Sequence, residues 1–246
     1  MEDTSLIYGR NAVIEAIKSG RGLDSVLITE NELKGSLVQI AALCRDNKIV
    51  LKRINPKKLD VLCDNGVHQG VAAYISIVTY KELDDVLDFA KSKGESPFII
   101  VCDGICDPHN LGAIIRTSEA AGAHGVVIPK RGGVQITSAT EKAAAGALSY
   151  QNIIRVTNIS NTLDELKTKR LWIYGADMNG EDYKTVDFTG SAVLVLGSEG
   201  KGLSRLVKEK CDFLMKIPMR GKINSLNVSV ASGILMYAYA YIGVRN

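Results

Sequence analysis

The sequence predicts an α/β protein in which a small α/β unit precedes a larger unit built on a mostly parallel sheet. Three observations support this prediction. Short apolar runs alternate with segments of helical periodicity along the chain. The runs in the second part are continuously apolar, which is typical of a parallel sheet covered on both faces. The chain has 246 residues, enough for one large domain or two modest ones that each bury a core.

The composition excludes several classes of protein. With 46% hydrophobic and 23% charged residues, the chain is neither collagen-like nor low-complexity nor disordered. A net charge of +3 is too small to indicate a nucleic-acid-binding protein, although a basic patch can exist within such a total. The acidic start does not resemble a signal peptide, and the apolar run at residues 228–242 is too short to span a bilayer. We therefore expect a cytoplasmic protein without membrane association, whose five cysteines are reduced thiols.

The first 78 residues predict a compact α/β domain. Residues 11–17 place Val13, Ile14 and Ile17 on one face of a short helix. Pro56 suits the first turn of another helix, at residues 56–62. The other predicted elements are a helix at residues 37–44 and strands at residues 26–28, 50–54 and 71–77.

A polar segment separates the two predicted domains. Acidic residues outnumber basic ones between residues 81 and 107, and residues 91–97 form a polar break punctuated by Gly94 and Pro97. An amphipathic stretch at residues 83–90 lies within this segment. We therefore predict a linker at residues 79–96 and a second domain at residues 97–246.

The second domain alternates buried strands with helices, as a parallel sheet requires. The predicted strands are residues 98–102, 126–128, 153–156, 172–174, 193–196 and 213–217. The predicted helices are residues 110–121, 138–148, 163–169, 204–210 and 226–241.

Three turns that follow strands of this domain are rich in glycine, asparagine, serine and charge: residues 103–117, 197–204 and 218–229. A tight loop followed by a helix cap would explain any one of them. Ligands of open parallel sheets, however, bind beyond the carboxyl ends of the strands. Three such turns on one sheet therefore indicate a binding site.

Common nucleotide and metal motifs do not fit these turns. A phosphate-binding P-loop would need glycine at Leu196, and a dinucleotide fingerprint would need glycine at Arg205. Cys102, Cys106 and His109 have a spacing similar to that of an iron–sulfur triplet, but the third residue is a histidine and no fourth ligand lies nearby. We therefore expect no metal and interpret Cys102 as a buried strand residue.

The three turns, in this order and spacing, resemble the three motifs of the SpoU (TrmH-like) branch of the SPOUT methyltransferases. The matching stretches are residues 103–122, 196–203 and 217–231. Residues 8–13 and 68–73 resemble the N-terminal RNA-binding domain of the subgroup that methylates a guanosine ribose in large-subunit ribosomal RNA. The resemblance therefore covers nearly the whole chain.

The resemblance implies an S-adenosylmethionine-dependent enzyme that methylates a ribose 2′-hydroxyl, on a guanosine of 23S ribosomal RNA. It implies an L30e-like N-terminal domain that binds the RNA substrate, a C-terminal SPOUT domain with a deep trefoil knot, and a homodimer with composite active sites. Two alternatives remain open. One is a transfer-RNA or antibiotic-resistance ribosomal-RNA ribose methyltransferase of the same fold, and the other is a ribosome-assembly protein that binds RNA without catalysis.

The resemblance also implies roles for individual residues. Gly197, Ile217 and Leu226 correspond to cofactor contacts, and Met219 is a neighbouring candidate. The family assigns removal of the ribose proton to Arg116, assisted by a substrate phosphate. Since guanidinium stays protonated in proteins, Arg116 can instead pair with a phosphate and stabilise the developing alkoxide.

Four further residues are predicted to complete the catalytic set: Asn110, Glu199, Ser225 and Asn227. Asn110 could brace Arg116 or the ribose, or it could simply cap the helix that follows it. Glu199 could orient a donor, accept a proton, or act only as a charge near a helix start. Ser225 and Asn227 could both cap the last helix and hold substrate. His109 is interpreted as a loop residue.

Basic residues outside the pocket are expected to hold the RNA. In the N-terminal domain the candidates are Arg10, Lys52 and Arg53, and His68 and Gln69 are expected to shape either that surface or the interdomain hinge. In the second domain the candidates are Lys130, Arg131, Arg155, Lys201, Arg205, Lys208, Lys210, Lys216, Arg220 and Lys222, of which Lys208 and Lys210 could also belong to an ordinary solvated helix face.

Overall fold

The computed structural model describes residues 6–20, 22–30 and 34–243, and it divides into two compact units, residues 1–79 and residues 80–246. The elements of the first unit are β1 (Leu6–Tyr8), α1 (Arg10–Lys18), β2 (Leu23–Thr29), α2 (Ser36–Asp46), β3 (Val50–Ile54), α3 (Pro56–Leu62) and β4 (Val71–Ile75). All three predicted helices are present. Strand β4 is two residues shorter than predicted, and β1 was not predicted because three residues are too few to show a periodic pattern.

In the described part of the first unit, four strands form a sheet in the order β1-β4-β2-β3. Strand β2 pairs in parallel with β3, and β4 pairs antiparallel with both β1 and β2. Alternate residues of β2 point to opposite faces. Val26 and Ile28 therefore pack with α1 and α2, whereas Leu27 packs with Leu59 of α3. Both faces of this sheet are thus covered by helices.

A hydrogen-bonded turn holds Arg10 at the start of α1. Arg10 donates from its backbone N–H to Gln69 Oε1 at 3.1 Å and from Nε to the Gln69 carbonyl oxygen at 3.0 Å. His68 Nδ1 accepts from the Gly70 N–H at 3.0 Å, and His68 Nε2 lies 2.8 Å from Asp60 Oδ1. His68 and Gln69 therefore shape the turn that borders Arg10, while the expected part of this pair in an RNA-binding surface or an interdomain hinge stays a prediction.

The elements of the second unit are α4 (Leu83–Ser92), β5 (Phe98–Asp103), α5 (Pro108–Ala120), β6 (Gly125–Pro129), α6 (Ser138–Ala144), β7 (Ile153–Val156), α7 (Ile159–Thr168), β8 (Trp172–Asp182), β9 (Ala192–Gly197), α8 (Arg205–Lys210), β10 (Phe213–Lys216) and α9 (Val228–Gly243). Within the described residues its sheet has six strands in the order β10-β8-β9-β5-β6-β7, and the neighbouring strands are parallel. The predicted parallel sheet is confirmed.

Helices cover both faces of this sheet. On one face, Ile99 and Val101 of β5 join a buried cluster with Val86 of α4 and Leu163 of α7. On the other face, Phe98 of β5 stacks on Tyr239 of α9, with ring centroids 3.9 Å apart. Helix α5 packs against both α6 and α9. The carboxyl ends of β5, β8 and β9 are thereby left as one edge on which a site can form.

The segment predicted as a linker, residues 79–96, contains helix α4. Leu83 and Val86 of this helix belong to the buried core of the second unit. The backbone N–H of Lys81 donates to the Ile153 carbonyl oxygen at 2.8 Å. Residues 80–96 therefore fall within the second unit.

Several predicted elements have wrong boundaries, and two of them differ from the prediction by four residues or more at their carboxyl ends. Helix α6 ends at Ala144 rather than continuing to residue 148, because Ala145 and Gly146 adopt left-handed conformations with φ of 48° and 91°. Strand β8 continues to Asp182 instead of ending at Tyr174, because its polar second half pairs with β10. A Cβ on Gly180 would lie 2.4 Å from the Leu214 backbone, so only glycine permits this pairing. Backbone pairing, not apolar side chains, extends the strand.

Helix α9 begins at Val228, two residues later than predicted. Across the part of the chain that the structure describes, neither α9 nor any other helix is long and apolar enough to cross a membrane. The trefoil knot that the resemblance implies stays a prediction.

Candidate active site

A cavity of about 680 Å³ opens at the carboxyl end of β9, beside the middle of β8 just after the part of β8 that pairs with β9. Its walls come from the middle of β8, the turn after β9, the segment after β10 and the start of α9. The four residues proposed as cofactor contacts all line it: Gly197, Ile217, Met219 and Leu226. Three of the proposed catalytic residues line it as well: Glu199, Ser225 and Asn227.

The turn after β9 folds back tightly on itself. The Ser198 N–H donates to the Gly202 carbonyl oxygen at 3.0 Å, and the Gly202 N–H donates to the Ser198 carbonyl oxygen at 2.8 Å. A Cβ on Gly197 would lie 2.2 Å from the Gly202 carbonyl carbon. The space beside Gly197 is therefore filled by the protein's own backbone, and any side chain there would push the turn apart.

Three polar side chains from the three motifs meet beside this cavity. Asn110 Nδ2 and Asn227 Nδ2 each donate to Glu199 Oε1 at 2.8 Å. Asn227 Nδ2 also donates to Asn110 Oδ1 at 3.0 Å. We call Asn110, Glu199 and Asn227 the amide–carboxylate cluster. It joins α5, the turn after β9 and the start of α9, which are far apart in the sequence.

Asn110 is not the cap of α5. The helix begins two residues earlier, at Pro108, and its cap is Asp107, whose Oδ1 accepts from the His109 N–H at 2.9 Å. Proline suits the first helical position because it needs no N–H there. The alternative role of Asn110 as a helix cap is therefore wrong, and its side chain is available to the cluster.

Asn227 has two roles at once. Its Oδ1 accepts from the Ser229 N–H at 2.9 Å and so caps α9. Its Nδ2 donates to Asn110 and Glu199. Ser225, the other candidate for a cap, lies exposed two residues before this position. Of the two expected caps of the last helix, Asn227 is therefore the one that the structure uses.

Arg116 lies apart from the cavity. It is exposed on α5 and is not among the lining residues. Six helical positions separate it from Asn110, which places the two side chains about 120° apart around the helix axis. Within residues 6–20, 22–30 and 34–243, Arg116 has no hydrogen-bond or ion-pair partner. Its positive charge is therefore available to a group outside this chain.

Three of the basic residues proposed to hold RNA are paired with carboxylates. Arg205 Nη1 lies 2.6 Å from Glu209 Oε1, Lys208 Nζ lies 2.8 Å from Asp177 Oδ2, and Lys210 Nζ lies 2.8 Å from Asp164 Oδ2. Burial alone would raise the pKa of Asp177, but the Lys208 ammonium and the Asn179 donors outweigh it and lower that pKa. Other candidates are exposed and have no carboxylate partner among the described residues: Arg131, Lys201, Lys216, Arg220 and Lys222.

Cys102 lies in β5 and His109 lies in the first turn of α5, so the interpretation of His109 as a loop residue is wrong. Cys102 is buried in β5, where burial and the neighbouring Asp103 raise the pKa of its thiol to about 12. The interpretation of Cys102 as a buried strand residue is confirmed. In the described parts of the chain, no group of three or more His, Cys, Asp or Glu side chains could hold a metal ion.

Two contributors to the site were missed at the sequence level. The middle of β8, including Asp177, Met178 and Asn179, forms one wall of the cavity. Asp107 contacts the cluster, since its Oδ2 accepts from Asn110 Nδ2 at 3.3 Å. The aspartate–proline pair at residues 107–108 is itself a helix-start signal, so the cap was visible in the sequence. The contact between Asp107 and Asn110 was not visible in the sequence.

Two family models match the chain. Residues 97–237 match the model described as the SpoU rRNA Methylase family. Residues 6–81 match the model described as RNA 2′-O ribose methyltransferase substrate binding.

Known proteins are similar over nearly the full length. YacO of Bacillus subtilis (strain 168), named for the TrmH family of tRNA/rRNA methyltransferases, is 47% identical over 232 residues, covering 94% of this chain and 93% of that protein. A Staphylococcus aureus (strain MSSA476) protein named for the same family is 45% identical over 238 residues, covering 96% of this chain and 95% of that protein. A similar fold is found in the crystal structure of the SpoU methyltransferase AviRb from Streptomyces viridochromogenes, solved with AdoMet. Its TM-score is 0.62 at 23% identity, and the match covers 98% of this chain and 91% of AviRb. This last likeness supports the fold.

Proposed function

The chain belongs to the SpoU rRNA methylase family and is an RNA methyltransferase, and we propose that its substrate is a guanosine ribose 2′-hydroxyl of 23S ribosomal RNA. The methyl donor is S-adenosylmethionine. The first unit, which matches the substrate-binding model of the family, holds the RNA. Such a substrate places the enzyme in the cytoplasm.

The observation that carries this proposal is that the three motifs meet in one hydrogen-bonded cluster, of which Glu199 and Asn227 line the cavity. Asn110, Glu199 and Asn227 lie within hydrogen-bonding distance of one another although they come from three separate segments. A cluster with two amides and one carboxylate positions hydrogen-bonding groups toward a small polar ligand. Positioning of two substrates is the main task in a direct group transfer.

The cavity suits S-adenosylmethionine. Its volume of about 680 Å³ lies in the range of small-molecule sites. Ile217, Met219 and Leu226 offer apolar surface for an adenine ring, while Glu199 places a carboxylate at the same cavity. Gly197, Ile217, Met219 and Leu226 would hold the cofactor, which supplies a methyl group on a positively charged sulfur.

Glu199 is the residue of the cluster best placed to receive a proton. Both amide donors bind its Oε1, so its Oε2 has no partner among the described residues. This oxygen can accept a hydrogen bond from a ribose hydroxyl and take its proton as the oxygen becomes nucleophilic. Ser225 lies on the same cavity and offers a hydroxyl to the substrate.

Arg116 serves as an electrostatic partner rather than a proton acceptor. Its guanidinium stays charged and can pair bidentately with an RNA phosphate next to the reacting ribose. There it stabilises the negative charge that develops on the 2′-oxygen. Since Arg116 does not line the cavity of its own chain, we propose that it acts at the cavity of a second copy, as the composite sites of the family imply.

We expect a homodimer that uses the outer face of α9. One stripe of this helix carries apolar residues at helical spacing: Val230, Ile234, Tyr237 and Tyr241. On this stripe Val230 is 51% exposed and Tyr241 is 67% exposed. Analytical ultracentrifugation at micromolar concentration should give a dimer. Changing Val230 and Tyr237 together to lysine should give monomers, whereas the exposed Val61→Lys in the first unit should not. A fully active wild-type monomer would contradict the dimer.

Lys52 and Arg53 are expected to contact the RNA backbone. Both are exposed on β3, and neither has a carboxylate partner in the parts of the chain described. Changing both to alanine should weaken RNA binding and reduce the slope of log affinity against log salt by about 1 to 2. Fluorescence anisotropy on ribosomal-RNA fragments at several salt concentrations measures this, with Lys18→Ala/Arg45→Ala as the matched control. An unchanged slope would remove the pair from the interface.

The experiment that tests the proposed function maps 2′-O-methylation across ribosomal RNA in cells with and without this protein. Loss of one guanosine mark in 23S RNA, restored by methyl transfer from the purified protein in the presence of a chelator, supports the proposal. A lost mark in transfer RNA would instead indicate a transfer-RNA enzyme. Unchanged marks, together with RNA binding, would indicate a non-catalytic assembly protein.

A further inference from the structure

Asp107 uses both of its carboxylate oxygens within the first motif. Oδ1 accepts from the His109 N–H at 2.9 Å and caps α5, and Oδ2 accepts from Asn110 Nδ2 at 3.3 Å. Asp107 does not line the cavity. Its contact with the amide–carboxylate cluster therefore runs through Asn110.

The donors and acceptors of the cluster fit together in only one arrangement. Asn110 Nδ2 carries two hydrogens, and these are taken by Asp107 Oδ2 and Glu199 Oε1. Its Oδ1 accepts from Asn227 Nδ2. If the Asn110 amide turned over, its oxygen would face two carboxylates and its N–H groups would face the Asn227 N–H groups. Two acceptor-only carboxylates on one side thus select the orientation of this amide.

We propose that Asp107 is a positioning residue of the active site, which orients the Asn110 amide and through it Glu199. This inference rests on the proposed function, because it supposes that Glu199 acts on the substrate. An aspartate is required because only it offers one oxygen for the cap and a second oxygen for Asn110. A serine at this position keeps the cap and lacks the second acceptor. An asparagine keeps the cap and presents a donor to Asn110 instead.

The test compares Asp107→Ser and Asp107→Asn with the wild-type protein. Both variants retain an oxygen for the cap, so their thermal midpoints should stay close to the wild-type value. The methyl-transfer kcat should fall about tenfold for Asp107→Asn and less for Asp107→Ser, with the KM for RNA nearly unchanged. Asp187→Asn is the matched control, since among the described residues the Asp187 carboxylate accepts a hydrogen bond from Thr189 Oγ1 alone.

Two further measurements separate positioning from a merely structural role. In the Asn110→Ala background, Asp107→Asn should lower kcat no further, because its effect passes through Asn110. In the free protein labelled with ¹⁵N-asparagine, nuclear magnetic resonance should show shifted side-chain NH₂ signals of Asn110 and Asn227 in Asp107→Asn, independently of any turnover.

Three results would overturn the inference: wild-type kcat in both variants, additive effects of Asp107→Asn and Asn110→Ala, or unmoved asparagine NH₂ signals. If the first of these results comes with a lowered thermal midpoint, Asp107 acts only as the cap of α5. A failure of the proposed function would give a different result from a failure of this inference. In that case wild-type protein does not methylate RNA, while the NH₂ signals still report whether Asp107 orients the cluster.

Discussion

Replacing Arg116 by alanine is expected to lower single-turnover methyl transfer by about two or more orders of magnitude, the scale of a lost oxyanion donor. The physical reason is that the guanidinium interacts most strongly with charge that exists only in the transition state. Affinity for S-adenosylmethionine should change little, since Arg116 does not line the cavity. Arg116→Lys should restore little activity, because an ammonium cannot reproduce the bidentate contact.

The deciding measurements are single-turnover rates at saturating RNA and calorimetric cofactor binding. Arg45→Ala, which removes an exposed arginine of the first unit, serves as the control. Rates near wild type for Arg116→Ala would remove Arg116 from the mechanism.

A mixing experiment locates the cavity at which Arg116 acts. When Arg116→Ala and Glu199→Gln subunits are mixed equally, half of the dimers are expected to be mixed, and each of these regains one intact site if Arg116 serves the partner. Activity should then recover to about a quarter of the wild-type value. If Arg116 served its own chain, no intact site would form and activity would stay low.

Glu199→Gln is expected to lower single-turnover methyl transfer by about 100-fold, the scale of a lost general base. Glutamine retains a carbonyl oxygen that can accept from Asn110 and Asn227, so the cluster and the fold should persist. The second oxygen, however, becomes an NH₂ group that cannot accept the ribose proton. The thermal midpoint should therefore stay near the wild-type value while the rate falls.

Glu209→Gln is the matched control for Glu199→Gln. Glu209 is an exposed carboxylate on α8 that pairs with Arg205 at 2.6 Å and lies outside the cavity. Its loss should leave the rate unchanged. A rate near wild type for Glu199→Gln itself would show that the proton leaves by another route and that Glu199 only joins the three segments.

Most elements of this protein were predictable from local patterns. The helix at residues 56–62 has the predicted bounds, since Pro56 marks its start and Asn55 caps it through the Lys57 N–H. Strands β5 and β9 were predictable because their side chains are buried on both faces. The pattern failed where pairing or a backbone conformation decided the boundary, as in the polar end of β8 and the left-handed Ala145 that ends α6.

In the candidate site, too, some features were predictable from the sequence and others are visible only in the structure. The residue types and spacing of the three turns identified the segments that carry Asn110, Glu199 and Asn227, because those features are local. Spacing did not reveal that Asp107 also contacts Asn110, or that the Asn110 side chain joins Glu199 and Asn227. It did not reveal that the space beside Gly197 is filled by the backbone of Gly202.

Periodicity and turn chemistry act over a few residues, and at that range the sequence alone determined most helices and strands and located the three polar turns. Hydrogen bonds among Asn110, Glu199 and Asn227 need atoms within about 3 Å of one another. Such distances across 89 and 117 positions of chain depend on how α5, the turn after β9 and α9 pack. The tertiary structure alone therefore decided which polar side chains meet, and it turned Arg116 away from the cavity that they line.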